Sequence, residues 1–156
     1  VVAEDIKSFE FFKEKYETED FIIQEFIPAE EGEFTCGLFR SRGGEIRSIV
    51  FRRELTGGYS GYGEIVESDA ITSLLKNIAI SLDLRGSINV QLRLKDGNPY
   101  IFEINPRFSS TVYFRHLFGF EDVVWSLADL LEQHIPLYKI NSKVRQFYKG
   151  FSEYID

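Results

Sequence analysis

Methionine is absent from this 156-residue chain, and cysteine occurs once, at Cys36. A single cysteine excludes an internal disulfide framework and fits a reducing cytosol. The missing methionine, with Val1-Val2 in first position, predicts a cut end and not the beginning of a gene. Positive charge is scarce: 18 Lys and Arg face 25 Asp and Glu, for a formal charge of −7. That balance argues against nonspecific nucleic-acid binding, because phosphate backbones recruit basic surfaces. No apolar run approaches the roughly 20 residues of a membrane span, and no signal-peptide pattern opens the chain. The expectation is a cytoplasmic protein with no membrane and no nucleic-acid partner. The two histidines, His116 and His134, have no Cys or His at metal spacing, so neither reads as a ligand or a base. Repeats, low-complexity tracts and interdomain linkers are also missing.

What is present is an aromatic-rich body. Hydrophobic residues make up 44% of the chain, with 15 Phe and 8 Tyr, enough for a single domain spanning 1–156 with its own core. The chain is organised around residues 89–110, NVQLRLKDGNPYIFEINPRFSS. Asp96-Gly97-Asn98 is turn chemistry between two runs of strand-type residues, so the segment reads as a β-hairpin. With those three residues as the loop, Val90 faces Ile104, Leu92 faces Phe102, and Leu94 faces Tyr100 on one apolar face. The other face then collects Gln91 opposite Glu103 and Asn89 opposite Asn105. A one-residue slip would mix the two sets. Pro106 stops the strand, and Arg107 follows near the end of the polar face. A carboxylate, amides and a guanidinium together suit a magnesium ion carrying a phosphate. The same spacing equally describes the solvated face of an ordinary hairpin.

Glu103-Ile104-Asn105-Pro106-Arg107, with Asn89-Val90-Gln91 upstream, resembles the metal-binding signature of the ATP-grasp enzymes, most of all the carbamoyl-phosphate synthase large-subunit branch. The resemblance implies an α+β fold, the C-terminal lobe of an ATP-grasp module, with a largely antiparallel sheet backed by helices. It implies ATP and Mg²⁺ (or Mn²⁺) as ligands. Gln91, Glu103 and Asn105 become metal ligands, and Arg107 becomes the catalytic residue that contacts the transferred phosphoryl group.

Elsewhere, Ile6, Phe9, Phe12 and Tyr16 recur at helical spacing within residues 5–16 and predict a short amphipathic helix. Residues 21–28 read as a nearly continuous apolar strand ended by Pro28, which by itself describes a buried core strand. In the ATP-grasp resemblance this strand is the adenine hinge. The backbone after Gln24 would bond the base, with Glu25 beside it and Phe26 and Ile27 flanking it. Glu33 is the implied ribose-binding glutamate, with Glu30 and Glu31 as rivals. Residues 34–41 and 45–53 predict a second hairpin around Arg42-Gly43-Gly44. Residues 55–63 carry four glycines without Walker spacing, and read either as a mobile surface loop or as a loop over phosphates or acceptor, with Arg52 or Arg53 reaching toward negative charge.

Ser68-Asp69 caps a helix in which Ile71, Leu74, Leu75, Ile78, Ala79 and Leu82 form an apolar stripe that needs a sheet, the apolar face of the 89–105 hairpin being the expected partner. Ser109 and Ser110 precede a short helix at 112–118, as phosphate donors or N-caps. A helix over 121–132 is expected to turn Val123, Val124, Leu127, Leu130 and Leu131 inward, with Trp125 packed, and 144–151 to form a closing strand.

ATP-grasp ligases join a carboxylate to an amine-type nucleophile through an acylphosphate. Phosphoryl transfer depends mostly on positioning and charge neutralisation, which suits a site with no nucleophilic Ser, Cys or His. The glycine-rich loop and two lysines of the opposing lobe have no match here. The resemblance therefore predicts weak ATP affinity and no ligase turnover for this polypeptide alone, with an exposed apolar face that favours homo-oligomers. The alternative is a non-catalytic nucleotide- or metal-binding or interaction module that retains the fold.

Overall fold

The computed structural model describes residues 1–150. Its elements run α1 (Ile6–Lys15), β1 (Glu33–Arg40), β2 (Ile46–Thr56), β3 (Tyr59–Ile65), α2 (Asp69–Ser81), β4 (Gly86–Lys95), β5 (Asn98–Asn105), α3 (Val112–Leu117), α4 (Asp122–Leu130) and β6 (Gln146–Tyr148). The strands form one sheet in the order β5-β4-β1-β2-β3-β6, antiparallel at every pairing. The architecture is the expected α+β, with helices on both faces of an antiparallel sheet.

Helix α2 starts where the sequence placed it, with the Ser68 side chain accepting from Ile71 N at 3.4 Å. Its buried Ile71, Leu75 and Ala79 pack on Phe34, Cys36, Leu38, Val50, Ile88, Val90 and Leu92. The partner surface is thus shared by β1, β2 and β4. The 89–105 hairpin contributes its buried apolar side chains through β4, and the edge strand β5 also runs close to α2. Leu82 is the C-cap and stays exposed. The opposite face holds an aromatic cluster in which Phe51 meets Phe118 at 4.9 Å and Phe39 meets Trp125 at 5.6 Å. Arg47 lies 4.3 Å over Trp125 and donates to the Pro136 carbonyl at 2.6 Å, which fastens the chain after α4 to the cluster.

Six expectations need correction. Residues 21–28 form no strand: the segment joins no ladder, and a strand exists only where a neighbour supplies hydrogen bonds. Helix α1 forms, with Asp5 and Ser8 making a capping box, yet Ile6 and Phe9 are exposed and the helix buries no side chain fully. The glycine-rich residues 55–63 are an ordered hairpin. Gly57 and Gly58, at φ +59 and +83, make a two-residue turn between β2 and β3 that non-glycine residues enter only under strain.

Helix α4 is rotated from expectation. Asp122, Trp125 and Ala128 are buried, and Val123, Val124, Leu127, Leu130 and Leu131 face outward. Packing of one large indole and pairing of one buried carboxylate set its orientation against the aliphatic stripe. Finally, the closing strand shrinks to Gln146–Tyr148, and the end of the expected 144–151 strand lies outside the described residues.

The β4–β5 hairpin changes register partway along. Asn89, Val90 and Gln91 face Asn105, Ile104 and Glu103 as expected. The turn, however, is two residues, Asp96 and Gly97 at φ +53 and +71, so Leu92 faces Ile101, Arg93 faces Tyr100 and Leu94 faces Pro99. Phe102 is the extra residue of a β-bulge between these two registers. The expected pairs Leu92 with Phe102 and Leu94 with Tyr100 do not form. Tyr100 instead joins Arg93 on the side of Gln91 and Glu103.

Candidate functional site

The sheet face away from α2 carries Glu33, Arg53, Gln91 and Arg93 on three adjacent strands. Glu33 on β1 faces Arg53 of β2 on one side and Arg93 of β4 on the other. Its Oε1 accepts from Arg53 Nη2 at 2.8 Å, and its Oε2 accepts from Arg93 Nη2 at 2.7 Å and Nε at 2.9 Å. Burial would raise the Glu33 carboxyl, but hydrogen bonds from Arg93 and Arg53 and their charges outweigh it, so its pKa lies below the ordinary value. Arg53 continues the chain by donating to the Gln91 side-chain oxygen. Gln91 faces Glu103, whose Oε1 accepts from Asn105 Nδ2 at 2.9 Å. Asn105 Oδ1 in turn accepts from Arg107 Nη2 at 3.3 Å. The four expected residues Gln91, Glu103, Asn105 and Arg107 therefore stand in one neighbourhood, with Glu103 and Arg107 open to solvent and Asn105 half-buried. Among the described residues no three His, Cys, Asp or Glu side chains cluster as a metal site. Cation binding here would rest on one carboxylate with amide oxygens.

Gln24, Glu25, Phe26 and Ile27 line a cavity of about 810 Å³ together with α1 and with Arg93, Tyr100 and Phe102. Although unladdered, the segment is tied to the hairpin at three points. Lys95 Nζ meets Glu25 Oε1 at 2.7 Å, and Arg93 Nη1 donates to the Ile27 carbonyl at 2.6 Å. The Glu31 carboxylate accepts from the backbone N–H groups of Asp96 at 2.7 Å and Gly97 at 2.9 Å. Glu31, a rival of Glu33 for a ligand role, is a clasp on the hairpin turn, while Glu30 is simply exposed.

Asn89 is directed elsewhere. It is buried, and its Oδ1 accepts from Thr35 Oγ1 at 2.9 Å and from Arg115 Nη2. Arg115 is fully buried with its Nη1 3.7 Å from Asp122 Oδ2, which also accepts from Ser87 Oγ at 2.7 Å. Burial pushes the Arg115 guanidinium down to about 10 and raises the Asp122 carboxyl. The sequence reading missed this pair; an arginine inside the apolar run of 112–120, followed by an aspartate one helix later, was its only signal. Ser109 is also internal: its Oγ lies 2.9 Å from Thr111 Oγ1 and accepts from Thr111 N, while Ser110 is exposed. Arg52 is exposed too. His116 lies 3.6 Å from Glu121 on the surface. Cys36 is buried and its thiol pushed up to about 12 by burial, so it is chemically quiet.

Among known proteins, the carbamoyl phosphate synthase large chain of Methanothrix thermoacetophila is 43% identical over 44 residues, 28% of this chain and 4% of that one. The carbamoyl phosphate synthase large chain, C-terminal section, of Aquifex aeolicus is 39% identical over 56 residues, 36% of this chain and 10% of its own length. The aligned stretches are thus a small part of those relatives. In three dimensions the chain is similar to an ADP complex of N5-carboxyaminoimidazole ribonucleotide synthetase, with a TM-score of 0.71, 16% identity, and coverage of 90% of this chain and 39% of that one. It is also similar to the phosphoribosylaminoimidazole carboxylase ATPase subunit from Aquifex aeolicus, with a TM-score of 0.65, 22% identity, and coverage of 76% and 38%. At these identities the structural likeness shows the fold. Residues 17–148 match the sequence family described as "ATP-grasp in the biosynthetic pathway with Ter operon". With most of its length inside that match and the fold agreeing, the chain belongs to the ATP-grasp family.

Proposed function

We propose that this chain forms the ATP- and Mg²⁺-binding part of an ATP-dependent ligase that joins a carboxylate to an amine-type nucleophile through an acylphosphate. The observation that supports it is the hydrogen-bonded row Glu103, Asn105 and Arg107 beside Gln91 on the β4–β5 ladder. The donor set fits the ion, because Mg²⁺ keeps several waters and takes one or two carboxylates plus phosphate oxygens. Bound there, the metal supplies charge neutralisation for the nucleotide phosphates. Gln91, Glu103 and Asn105 hold it through side-chain oxygens. Arg107 spends two guanidinium N–H groups on Asn105 and the Phe108 carbonyl, which leaves donors for a phosphate.

In this reading the adenine occupies the cavity against the backbone of residues 24–27, where Phe26 is 54% exposed and free to stack. Glu33 accepts from the ribose, its carboxylate kept ionised by Arg93 and Arg53. The opposing lobe of the ATP-grasp module supplies the remaining phosphate contacts. The test is calorimetric titration of Mg-ATP into the chain and its Glu103→Gln variant. Binding should weaken about tenfold or more in the variant; equal affinities would remove Glu103 as a metal ligand.

A further inference from the structure

Residues 21–27 pose a physical problem: they are apolar and largely exposed, yet no strand of the sheet pairs with them. Ile27 is the exception at 8% exposure, and its carbonyl accepts from Arg93 Nη1 at 2.6 Å. Arg93 cannot swing, because Nε and Nη2 are both held by Glu33 Oε2. Its guanidinium also lies 5.5 Å from the Phe26 ring and 5.3 Å from the Phe102 ring. Phe102 is within reach because it is the bulged residue of β5. One planar cation thus touches the segment through a carbonyl and a ring, while the sheet fixes it from below.

We propose that Arg93 is the positioning residue of this segment, locking the Ile27 carbonyl and Phe26 in register so that the backbone of residues 24–26 presents a fixed donor and acceptor pattern to a nucleobase. The base-recognition half rests on the proposed nucleotide function; the locking half does not. A fixed pattern discriminates between bases because adenine and guanine offer opposite donor and acceptor orders on their hydrogen-bonding edges. A slack segment shifts to suit either. Lysine at this position cannot replace arginine, since a point-charge ammonium cannot give two N–H donors to Glu33 Oε2 and reach Ile27 together.

The test uses the whole chain with Arg93→Gln and Arg93→Lys variants and two readouts. Backbone ¹⁵N order parameters without nucleotide should drop at residues 24–27 from the rigid value of about 0.85 toward 0.6 or below in both variants, while α2 and β1 keep theirs. The affinity ratio of Mg-ATP to Mg-GTP should fall about tenfold or more in both, with the ATP affinity itself changing less than the ratio if GTP gains. Unchanged order parameters in that segment overturn the proposal, as does a uniform drop across α2 and β1, which would make Arg93 a stability residue only. An unchanged base ratio in a chain that binds both nucleotides removes the selective role. If the wild-type chain binds neither nucleotide, the nucleotide reading fails by itself, and the order parameters still decide whether Arg93 locks the segment.

Discussion

The two faces of strand β4 do different work with alternate residues of one short sequence. Ile88, Val90 and Leu92 enter the α2 core, where every neighbour is apolar. Asn89, Gln91 and Arg93, one step away each time, carry amides and a guanidinium into hydrogen-bond chains that end at Arg115 on one side and at Ile27 on the other. The apolar face stabilises by area removed from water and tolerates similar shapes. The polar face stabilises only while each partner is present, because a stranded buried charge costs more than the pair contributes. The α2 face is thus held by apolar contact, and the other face carries the hydrogen-bond network and the candidate ligands, separated by a single peptide unit.

The sharpest way to break that division is Asp122→Ala, which leaves Arg115 fully buried without its carboxylate. Urea denaturation should show a loss of about 3–5 kcal/mol. Replacing Asp122 and Arg115 together by apolar residues of similar volume should recover most of it. On the other face, Leu75→Ala should cost about 2–5 kcal/mol by loss of transfer energy and creation of a cavity, with no change in nucleotide selectivity.

Glu33→Gln comes next, at about 1–3 kcal/mol near neutral pH, since it removes the charge that Arg53 and Arg93 share. The sign with pH follows from the lowered Glu33 pKa. Its contribution is complete above the ordinary carboxylate range, about pH 4–5, and disappears as pH falls through the lower folded value. Urea midpoints measured from pH 7 to pH 3 should therefore converge between wild type and the Gln variant. The smallest stability effect belongs to Glu103→Gln. Its carboxylate is exposed, so the cost should stay within about 0.5 kcal/mol by the same assay, which makes any loss of Mg-ATP affinity a property of the site.

Much of this division was legible in the sequence. The helical spacing of Ile71, Leu75 and Ala79 behind Ser68 gave α2, and the turn glycines gave two hairpins. The alternation from Asn89 to Gln91 placed the candidate metal ligands, because local periodicity and turn chemistry decide such elements. What escaped were features decided by distant partners. The outward stripe of α4 depends on Trp125 fitting against Phe39 and on Asp122 meeting Arg115, neither of which periodicity encodes. Residues 21–28 have the composition of a strand, but pairing is a property of two segments. The mid-hairpin change of register needed the turn length, and Asp96-Gly97-Asn98 reads equally as two residues or three.

The Phe102 bulge also bears on how the chain can change in length. Every other residue of β5 has a partner on β4, in one register before Phe102 and in the next after it. Deleting Phe102 would leave each remaining pair as it is, with Glu103 still facing Gln91 and Tyr100 still facing Arg93. The hairpin can thus lose or regain this one position as a unit without turning a single candidate ligand to the wrong face, and the feature that comes and goes with it is an aromatic ring beside Arg93.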